Sequence, residues 1–280
     1  MALEDDITRW AADGLLYELR NGVARLTLNR PKVKNAVDLP LRRALLEALD
    51  HTGINPDVHA VLMTGAGGAF SSGADLGQTD VMEMPEEYRR GEHVHMHRED
   101  GLKYGWWRLI EKVWTNPKPV VTAVLGPAYG FGANFAFSSD LVIAGESATF
   151  CEIFVRRGLP LEAGGAYILG RSISPVRAKE LALFGDPLPA DEAERWGLIN
   201  RCVPDDEALQ VATEWAERLA ASPTIGLGHI KSQVNNGLDM NIQQTWREEV
   251  TFLGIGPGAH DAEEAMKSFF EKRPARFTGR

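Results

Sequence analysis

The sequence predicts an α/β core followed by an all-helical C-terminal region. Up to about residue 204, short apolar strands alternate with glycine loops and helices, and beyond it helical patterns occur without strands. The 280 residues, 44% of them hydrophobic, are enough to bury a sizeable core. Strands that run into glycine loops and helices are typical of α/β proteins with sites at the strand ends. We therefore divide the chain into residues 1–204 and 205–280.

The first predicted elements are a hairpin and a helix. Residues 15–19 and 22–28 are apolar strands separated by Asn21-Gly22, a turn dipeptide. From about Asp38, apolar residues are spaced for one buried face of a helix. The strand predicted at 58–64 then runs into a glycine loop.

The middle of the chain repeats the same unit. Residues 81–98 are polar and charged, which predicts a surface loop able to shape a substrate site. The elements predicted after it are a helix at 101–113, a strand at 120–125, a glycine loop at 126–132, strands at 141–144 and 148–150, and a glycine loop at 158–165. Helices are predicted at 207–221, 222–236, 240–252 and 261–271.

Charge and cysteine content exclude several classes of protein. The net charge of −9 argues against bulk nucleic-acid binding, which needs a basic face. No uncharged apolar stretch reaches about 18 residues, so no membrane span is predicted, and the acidic N-terminus does not have the pattern of a secretory signal. Two cysteines, Cys151 and Cys202, cannot build a disulfide framework, and a cytoplasmic location is expected.

Four segments occur in the order found in one enzyme family. They are LNRPKVKNAVD (28–38), GAFSSGADL (68–76), PKPVVTAVLGPAYGFGANFAFSSDLVIAGESATF (117–150) and EEAMKSFFEKRPARFTGR (263–280). Together they resemble the crotonase superfamily, also called the enoyl-CoA hydratase/isomerase family. The resemblance implies a crotonase-like (ClpP/crotonase) spiral of ββα turns and a C-terminal helical region that forms a homotrimer or a dimer of trimers.

The same resemblance implies an acyl-CoA substrate, with no cofactor beyond its coenzyme A moiety. In the family, two backbone N–H groups at helix starts form an oxyanion hole for the thioester carbonyl, and here they match Ala74 and Phe131. Such N–H groups are unpaired and lie at the positive end of the helix dipole, which suits an enolate oxygen. A small residue is usual at position 131, so the Phe131 ring must enter either the core or the acyl pocket.

Coenzyme A binding is also implied by position. Lys32 and Lys34 are candidates for the anionic phosphates, and Phe269 and Lys272 match tail residues that reach a nucleotide on the neighbouring subunit. The full set of expected coenzyme A residues is Lys32, Val33, Lys34, Ala36, Ser72, Asp75, Leu76, Phe269 and Lys272.

The reaction is less closely defined by the resemblance. The two glutamates that family hydratases use to activate water are matched here by Asn134 and Phe154, and a phenylalanine cannot transfer a proton. Glu162 stands where double-bond isomerases of the family often keep one acid, which can act as base and then as acid. Glu152 is a second candidate, because on a strand it would share a face with Phe154.

An isomerase-like double-bond shift with Glu162 is therefore the leading expectation. A hydratase using Glu152 or an acid of the 81–100 loop is the rival, and an acyl-CoA hydrolase and a non-catalytic acyl-CoA-binding scaffold are further alternatives. No metal is expected, because His93, His95 and His97 lack the spacing of well-defined zinc sites.

Overall fold

Two β-sheets lie at the centre of the computed structural model, which describes residues 3–77, 105–255 and 260–279. The strands in chain order are β1 (Leu15–Arg20), β2 (Val23–Leu28), β3 (Ala60–Gly65), β4 (Val120–Val124), β5 (Pro127–Tyr129), β6 (Leu141–Gly145), β7 (Thr149–Cys151), β8 (Leu188–Pro189) and β9 (Arg201–Val203). The larger sheet has the order β1-β2-β3-β4-β6-β9, and the smaller has the order β5-β7-β8.

Helices surround the sheets in the described part of the chain. They are α1 (Leu3–Ala12), α2 (Leu39–Ile54), α3 (Trp107–Trp114), α4 (Phe131–Phe137), α5 (Gly165–Ser172), α6 (Pro175–Phe184), α7 (Ala190–Trp196), α8 (Asp205–Ala220), α9 (Thr224–Gly237), α10 (Ile242–Ile255) and α11 (His260–Glu271). Short 3-10 helices occupy Pro31–Val33 and Ile153–Arg157. None of the helices described here has the length and apolar character needed to cross a lipid bilayer.

Local sequence explains the first elements. The β1–β2 hairpin pairs Leu15 with Leu28 and turns at Asn21 and Gly22, whose φ angles of 53° and 74° suit a tight two-residue turn. Helix α2 begins after Asp38, whose side chain accepts a hydrogen bond from the Leu41 N–H at 3.0 Å. The predicted hairpin and helix are confirmed.

Parallel pairing brings the loops after β3 and β4 to the same edge of the large sheet. Strand β2 pairs parallel with β3, β3 with β4, and β4 with β6. The loop after β3 leads to residues 71–75, and the loop after β4 leads to β5 and α4. Since parallel strands end at one edge, two predicted glycine loops that are distant in sequence become neighbours.

Two apolar clusters hold the layers together. The larger packs the sheet against helices that include α2, α3 and α4, with residues such as Leu41, Leu45 and Phe135 almost fully buried. On the opposite face, Ala212 and Ala216 of α8 pack against the strands β2, β3, β4 and β6. The helix that directly follows the predicted boundary at residue 204 therefore covers the sheet, and the boundary itself stays a prediction.

Some sequence expectations were wrong in detail. Residues 127–129 were predicted as part of a loop, but they form β5, which pairs with β7 in a second sheet. Helix α1 was not predicted, although its Trp10 is buried beside Tyr17. The four C-terminal helices are confirmed within a few residues at each end. The loop predicted at 81–98, together with His93, His95 and His97, lies outside the described residues.

Candidate active site

Residues 71–75 lie between two other segments that carry predicted site residues. On one side, the Val37 N–H donates to the Gly73 carbonyl at 2.8 Å, and the Asp75 N–H donates to the Val37 carbonyl at 2.9 Å. On the other side, the Ser71 carbonyl accepts a hydrogen bond from the Tyr129 N–H at 2.9 Å. The fold thus brings the first three family-like segments together at one place.

The N–H groups of Ala74 and Phe131 lie on adjoining segments and have no acceptor. Neither donates a hydrogen bond to any residue in the described ranges. A Cβ atom placed on Gly73 would lie 3.7 Å from the Phe131 nitrogen and 2.7 Å from the Tyr129 carbonyl oxygen. Phe131 is the first residue of α4, where a helix leaves its N–H groups unpaired.

Glycines make this close approach possible. Gly73 has φ of +101°, a region that residues with a Cβ rarely adopt. Gly132 in the first turn of α4 packs on Ser71, because a Cβ there would lie 2.5 Å from the Ser71 carbonyl oxygen. A side chain at either glycine would force the two segments apart.

The Phe131 ring enters the core, which is one of the two places expected for it. The side chain is buried and packs against Trp106, with 4.6 Å between ring centroids, and against Phe135, with 5.2 Å. The ring therefore anchors the N-terminus of α4 to the aromatic core.

The expected coenzyme A residues of the first two segments are in direct contact. The Ser72 N–H donates to the Lys34 carbonyl at 2.9 Å, and the Ser72 hydroxyl donates to the Val33 carbonyl at 3.1 Å. The side chains of Lys32 and Lys34 are exposed, as is Leu76, whereas Ala36 is buried. These two segments form one continuous surface with exposed cations beside the Ala74 loop.

Arg30 and Asn35 support that surface and were not identified from the sequence. The guanidinium of Arg30 pairs with Asp38 at 2.8 Å and with Asp75 at 3.2 Å. The buried Asn35 side chain donates to the carbonyls of Ala66 and Ala69. Both lie in the polar segment 28–38, where nothing local distinguishes them from the neighbouring polar side chains.

Phe269 and Lys272 lie apart from the other expected coenzyme A residues. Phe269 on α11 is 75% exposed, and Lys272 follows the helix with φ of +52°. Among the described residues, no hydrogen bond or ion pair joins either side chain to the 32–36 or 72–76 segments. Their expected role involves a neighbouring subunit, which a single chain does not test.

Glu162 lies in the loop before α5 and is tied to α4 through its main chain. Its carbonyl accepts hydrogen bonds from the Asn134 side-chain amide at 3.0 Å and from the Gly165 N–H at 3.0 Å. The carboxylate is accessible to solvent and makes no capping hydrogen bond to α5, whose N-cap is Gly164. Partial burial still raises the pKa of Glu162 above its ordinary value.

Glu152 is fully buried beside Asn134. Its Oε2 accepts a hydrogen bond from Asn134 Nδ2 at 3.3 Å, while Glu152 Oε1 and Asn134 Oδ1 have no partner among the described residues. Burial raises the pKa of Glu152 to about 8, and the Asn134 hydrogen bond lowers it by less. This carboxyl group is therefore mostly neutral at pH 7.

Glu152 does not lie on a strand, so the prediction that it shares a strand face with Phe154 was wrong. Strand β7 ends at Cys151, and Glu152 precedes the 3-10 helix that contains Phe154. The alternation of side chains along a strand does not apply there. Phe154 is buried with its ring near Gly130, since a Cβ on that glycine would lie 3.7 Å from Phe154 Cζ.

An apolar cavity lies behind Phe154 and the Glu162 loop. Its volume is about 570 Å³, and its lining includes Phe154, Leu159, Leu161 and Leu169. The described residues contain no group of three His, Cys, Asp or Glu side chains placed to hold a metal ion. Among the described residues, the candidate acids Glu162 and Glu152 are linked through Asn134, which follows Phe131 on α4.

Residues 18–280 match the family model described as enoyl-CoA hydratase/isomerase. The chain belongs to the enoyl-CoA hydratase/isomerase family. The family is thus the crotonase superfamily that the four sequence segments resemble, and the predicted crotonase-like fold with a helical C-terminal region is confirmed.

Some relatives of this enoyl-CoA hydratase/isomerase family member are named hydratases and others are named isomerases. A "probable enoyl-CoA hydratase" of Rhodobacter capsulatus is 35% identical and is aligned over 94% of this chain and 97% of its own. The 1,2-epoxyphenylacetyl-CoA isomerase of Escherichia coli is 33% identical and is aligned over 95% of this chain and 98% of its own. The crystal structure of an enoyl-CoA hydratase from Bacillus anthracis superposes with a TM-score of 0.84 at 28% identity. The superposition covers 95% of this chain and 100% of that one.

A first prediction concerns Gly73. We expect Gly73→Ala to lower turnover of an acyl-CoA substrate by roughly 10²–10³, the usual effect of losing one oxyanion donor. The new Cβ would meet the Tyr129 carbonyl and move Ala74 away from the start of α4. Steady-state kinetics measure the effect.

Gly68→Ala is the matched control for Gly73→Ala. Gly68 also has a positive φ, of +75°, but nothing lies within 4 Å of its added Cβ. Equal activity of the two variants would contradict the account, provided that circular dichroism shows both to be folded.

A second prediction concerns Glu152 and stability. The folded protein keeps the Glu152 proton up to about pH 8, whereas the unfolded chain releases it near its ordinary pKa of 4.5. Folding therefore binds a proton between these values, and the free energy of unfolding falls as pH rises, by about 1.4 kcal/mol per pH unit. We expect Glu152→Gln to lack this decline.

Urea denaturation of Glu152→Gln and the wild type at pH 5.5 and pH 8 measures the difference. Glu180→Gln, a change on an exposed part of α6, is the control and should follow the wild type. Parallel pH dependences of the wild type and Glu152→Gln would show that Glu152 is not held neutral.

Proposed function

We propose that the chain binds an acyl-CoA thioester and stabilises its enolate with the N–H groups of Ala74 and Phe131. The observation that carries this proposal is that both N–H groups lack an acceptor within the described part of the chain and lie on segments that meet at Gly73. Fixed donors aimed at developing negative charge stabilise a transition state without reorganisation. The α4 helix dipole adds to the effect at Phe131.

The coenzyme A moiety is proposed to lie along the 32–36 and 72–76 segments. Exposed Lys32 and Lys34 would attract its phosphates, and the backbone of Ser72, Asp75 and Leu76 would follow the pantetheine. The ion pairs of Arg30 with Asp38 and Asp75 hold these two segments together. Phe269 and Lys272 are proposed to contact the nucleotide of a neighbouring subunit.

An isomerase-like double-bond shift is the reaction that the polar groups support best. Phe154 cannot transfer a proton, and Asn134 uses its amide hydrogens to hold Glu162 and Glu152. Glu162 has an accessible carboxylate, and the preceding residue, Leu161, lines an apolar cavity. It would remove a proton from the α- or γ-carbon, leave the enolate on the two N–H groups, and return the proton at the other carbon.

Hydration of a 2-enoyl-CoA is the second candidate. The name of the Rhodobacter capsulatus relative favours it. Either Glu152 or an acid of the 81–100 loop, which lies outside the described residues, would then supply the acid, and the high pKa of Glu152 suits a proton donor. Its complete burial argues against direct contact with a substrate, so we rank hydration second.

Incubation in heavy water separates the two reactions. If the chain is an isomerase, a 3-enoyl-CoA should be converted to the 2-enoyl isomer with deuterium uptake. NMR and mass spectrometry detect both changes. If the chain is a hydratase, a 2-enoyl-CoA should be converted to a 3-hydroxyacyl-CoA. Tight binding without any turnover would instead support a scaffold and contradict the proposal.

A third prediction assigns the base. We expect Glu162→Gln to reduce isomerase turnover by roughly 10²–10⁴, the usual contribution of a positioned acid–base group. The Michaelis constant should change little, because Glu162 lies outside the proposed coenzyme A surface. Glu180→Gln serves again as the control, and an unchanged rate for Glu162→Gln would remove Glu162 from the mechanism.

We also propose that α9, α10 and α11 form a homotrimer, or a dimer of trimers. Large apolar side chains on these helices, or directly after α9, are more than half exposed in the single chain. They include Ile230, Val234, Leu238, Ile242, Trp246, Val250, Leu253, Met266, Phe269 and Phe270. The helices border an apolar groove of about 870 Å³. Exposed apolar surfaces of this extent usually mark an interface.

A fourth prediction tests this interface. Sedimentation velocity should give the mass of three or six chains for the wild type and a smaller mass for Trp246→Glu, which places a charge on the apolar surface. Ile54→Glu is the control and should leave the mass unchanged, because Ile54 is an apolar side chain at the end of α2 that is more exposed than Trp246 and lies outside this surface. A wild type that sediments as a monomer would contradict the proposal.

A further inference from the structure

Glu152 and Asn134 form a buried pair that the proposed reaction does not use. Both residues have no exposed surface, and Asn134 Nδ2 donates to Glu152 Oε2 at 3.3 Å. Each residue also has one buried oxygen without a partner, Glu152 Oε1 and Asn134 Oδ1. Unpartnered buried oxygens destabilise a fold, so a pair that leaves two of them requires an explanation.

The Asn134 amide connects this pair to the Glu162 loop. Its Nδ2 has two hydrogens, and the second is donated to the main-chain carbonyl of Glu162 at 3.0 Å. Both neighbours of Nδ2 are acceptors, so only one orientation of the amide satisfies them. If the amide turned over, its Oδ1 would face the Glu162 carbonyl oxygen and repel it.

The loop has little freedom to adjust by itself. Ala163 and Gly164 both adopt positive φ, of 50° and 75°, directly after Glu162. Gly165 packs against the Asn134 amide, since a Cβ there would lie 2.8 Å from Nδ2. The orientation of one amide therefore determines where the loop that carries Glu162 sits relative to α4.

We propose that Glu152 is a positioning residue. Its carboxyl group fixes the orientation of the Asn134 amide and thereby holds the Glu162 loop against the helix that supplies the Phe131 N–H. The effect on catalysis rests on the proposed function. The contacts among Glu152, Asn134 and the Glu162 loop do not depend on it. The positioning role predicts that an acceptor at residue 152, and not an ionised carboxylate, is what the site requires.

The surroundings of Glu152 fit a neutral acid. Asn134 is its hydrogen-bond partner, and the adjacent Cys151 thiol is itself un-ionised, because burial raises its pKa to about 11. Arg156 of the 3-10 helix and Asp186, which lies between α6 and β8, pair with each other at the surface. Within the described ranges, no cation pairs with the Glu152 carboxyl group.

Two substitutions at residue 152 test the proposal. Glu152→Gln keeps a carbonyl oxygen as acceptor for Nδ2 and, like the neutral acid, carries a donor on its second terminal atom, so turnover should stay within about twofold of wild type. Glu152→Met has a similar size and no carboxyl acceptor, and turnover should fall by roughly 10–100-fold, as expected for a displaced catalytic group. The Michaelis constant for the acyl-CoA should change by less than about threefold.

A double-mutant cycle separates positioning from general destabilisation. Because Glu152 acts through Asn134, Asn134→Ala and Glu152→Met should each lower turnover, and the double variant should be no slower than the slower single variant. Multiplied losses would contradict the proposal. If Glu152→Met does not fold, Glu152→Asp takes its place, since a carboxyl group one methylene shorter cannot reach Nδ2.

Amide hydrogen exchange gives a readout that does not depend on activity. The Gly165 N–H, which donates to the Glu162 carbonyl, should exchange faster in Glu152→Met than in wild type and at the wild-type rate in Glu152→Gln. If the wild type turned over no enoyl-CoA, the proposed function would fail and the exchange rates would still decide the positioning role. Unchanged exchange and turnover in Glu152→Met, or equal losses in Glu152→Gln, would overturn it.

Discussion

The close approach of residues 71–75 to the start of α4 is the constraint on which the rest of the site depends. The positive φ of Gly73 and the missing side chain of Gly132 let one backbone lie against another, and within the described residues the N–H groups of Ala74 and Phe131 there have no acceptor. The parallel pairing of β3 with β4 brings the two loops to one edge of the sheet. The Phe131 ring then anchors one of the donors to the aromatic core.

Much of this arrangement could be predicted from the sequence, because its determinants are local. The Asn21-Gly22 turn, the Asp38 cap and the ordered glycine segments are short patterns with a direct physical meaning. Ala74 and Phe131 were placed by resemblance, and the fold brings their segments together. The role of the two N–H groups remains a prediction.

Other features depended on contacts between distant parts of the chain. Strand β5 is three residues long and begins with proline, and only pairing with β7 makes it a strand. Glu152 was placed on a strand that ends one residue earlier, and nothing local shows that it is buried against Asn134. The network of Arg30 with Asp38 and Asp75 likewise joins residues that are up to 45 positions apart.

The polar groups of the site have divided roles. Glu162 is accessible and tied down by its main chain, whereas Glu152 is buried and neutral, and Asn134 bonds to both. A fully buried carboxyl group costs stability unless it stays protonated, so its presence against Asn134 calls for a structural reason. In our account that use is geometric, and proton transfer belongs to Glu162.

The most direct test of the account is a crystal structure with a bound, unreactive acyl-CoA. The account predicts that the thioester oxygen lies about 2.7–3.1 Å from the nitrogens of both Ala74 and Phe131. An acyl-CoA bound with its carbonyl oxygen beyond hydrogen-bonding distance of either nitrogen would contradict it.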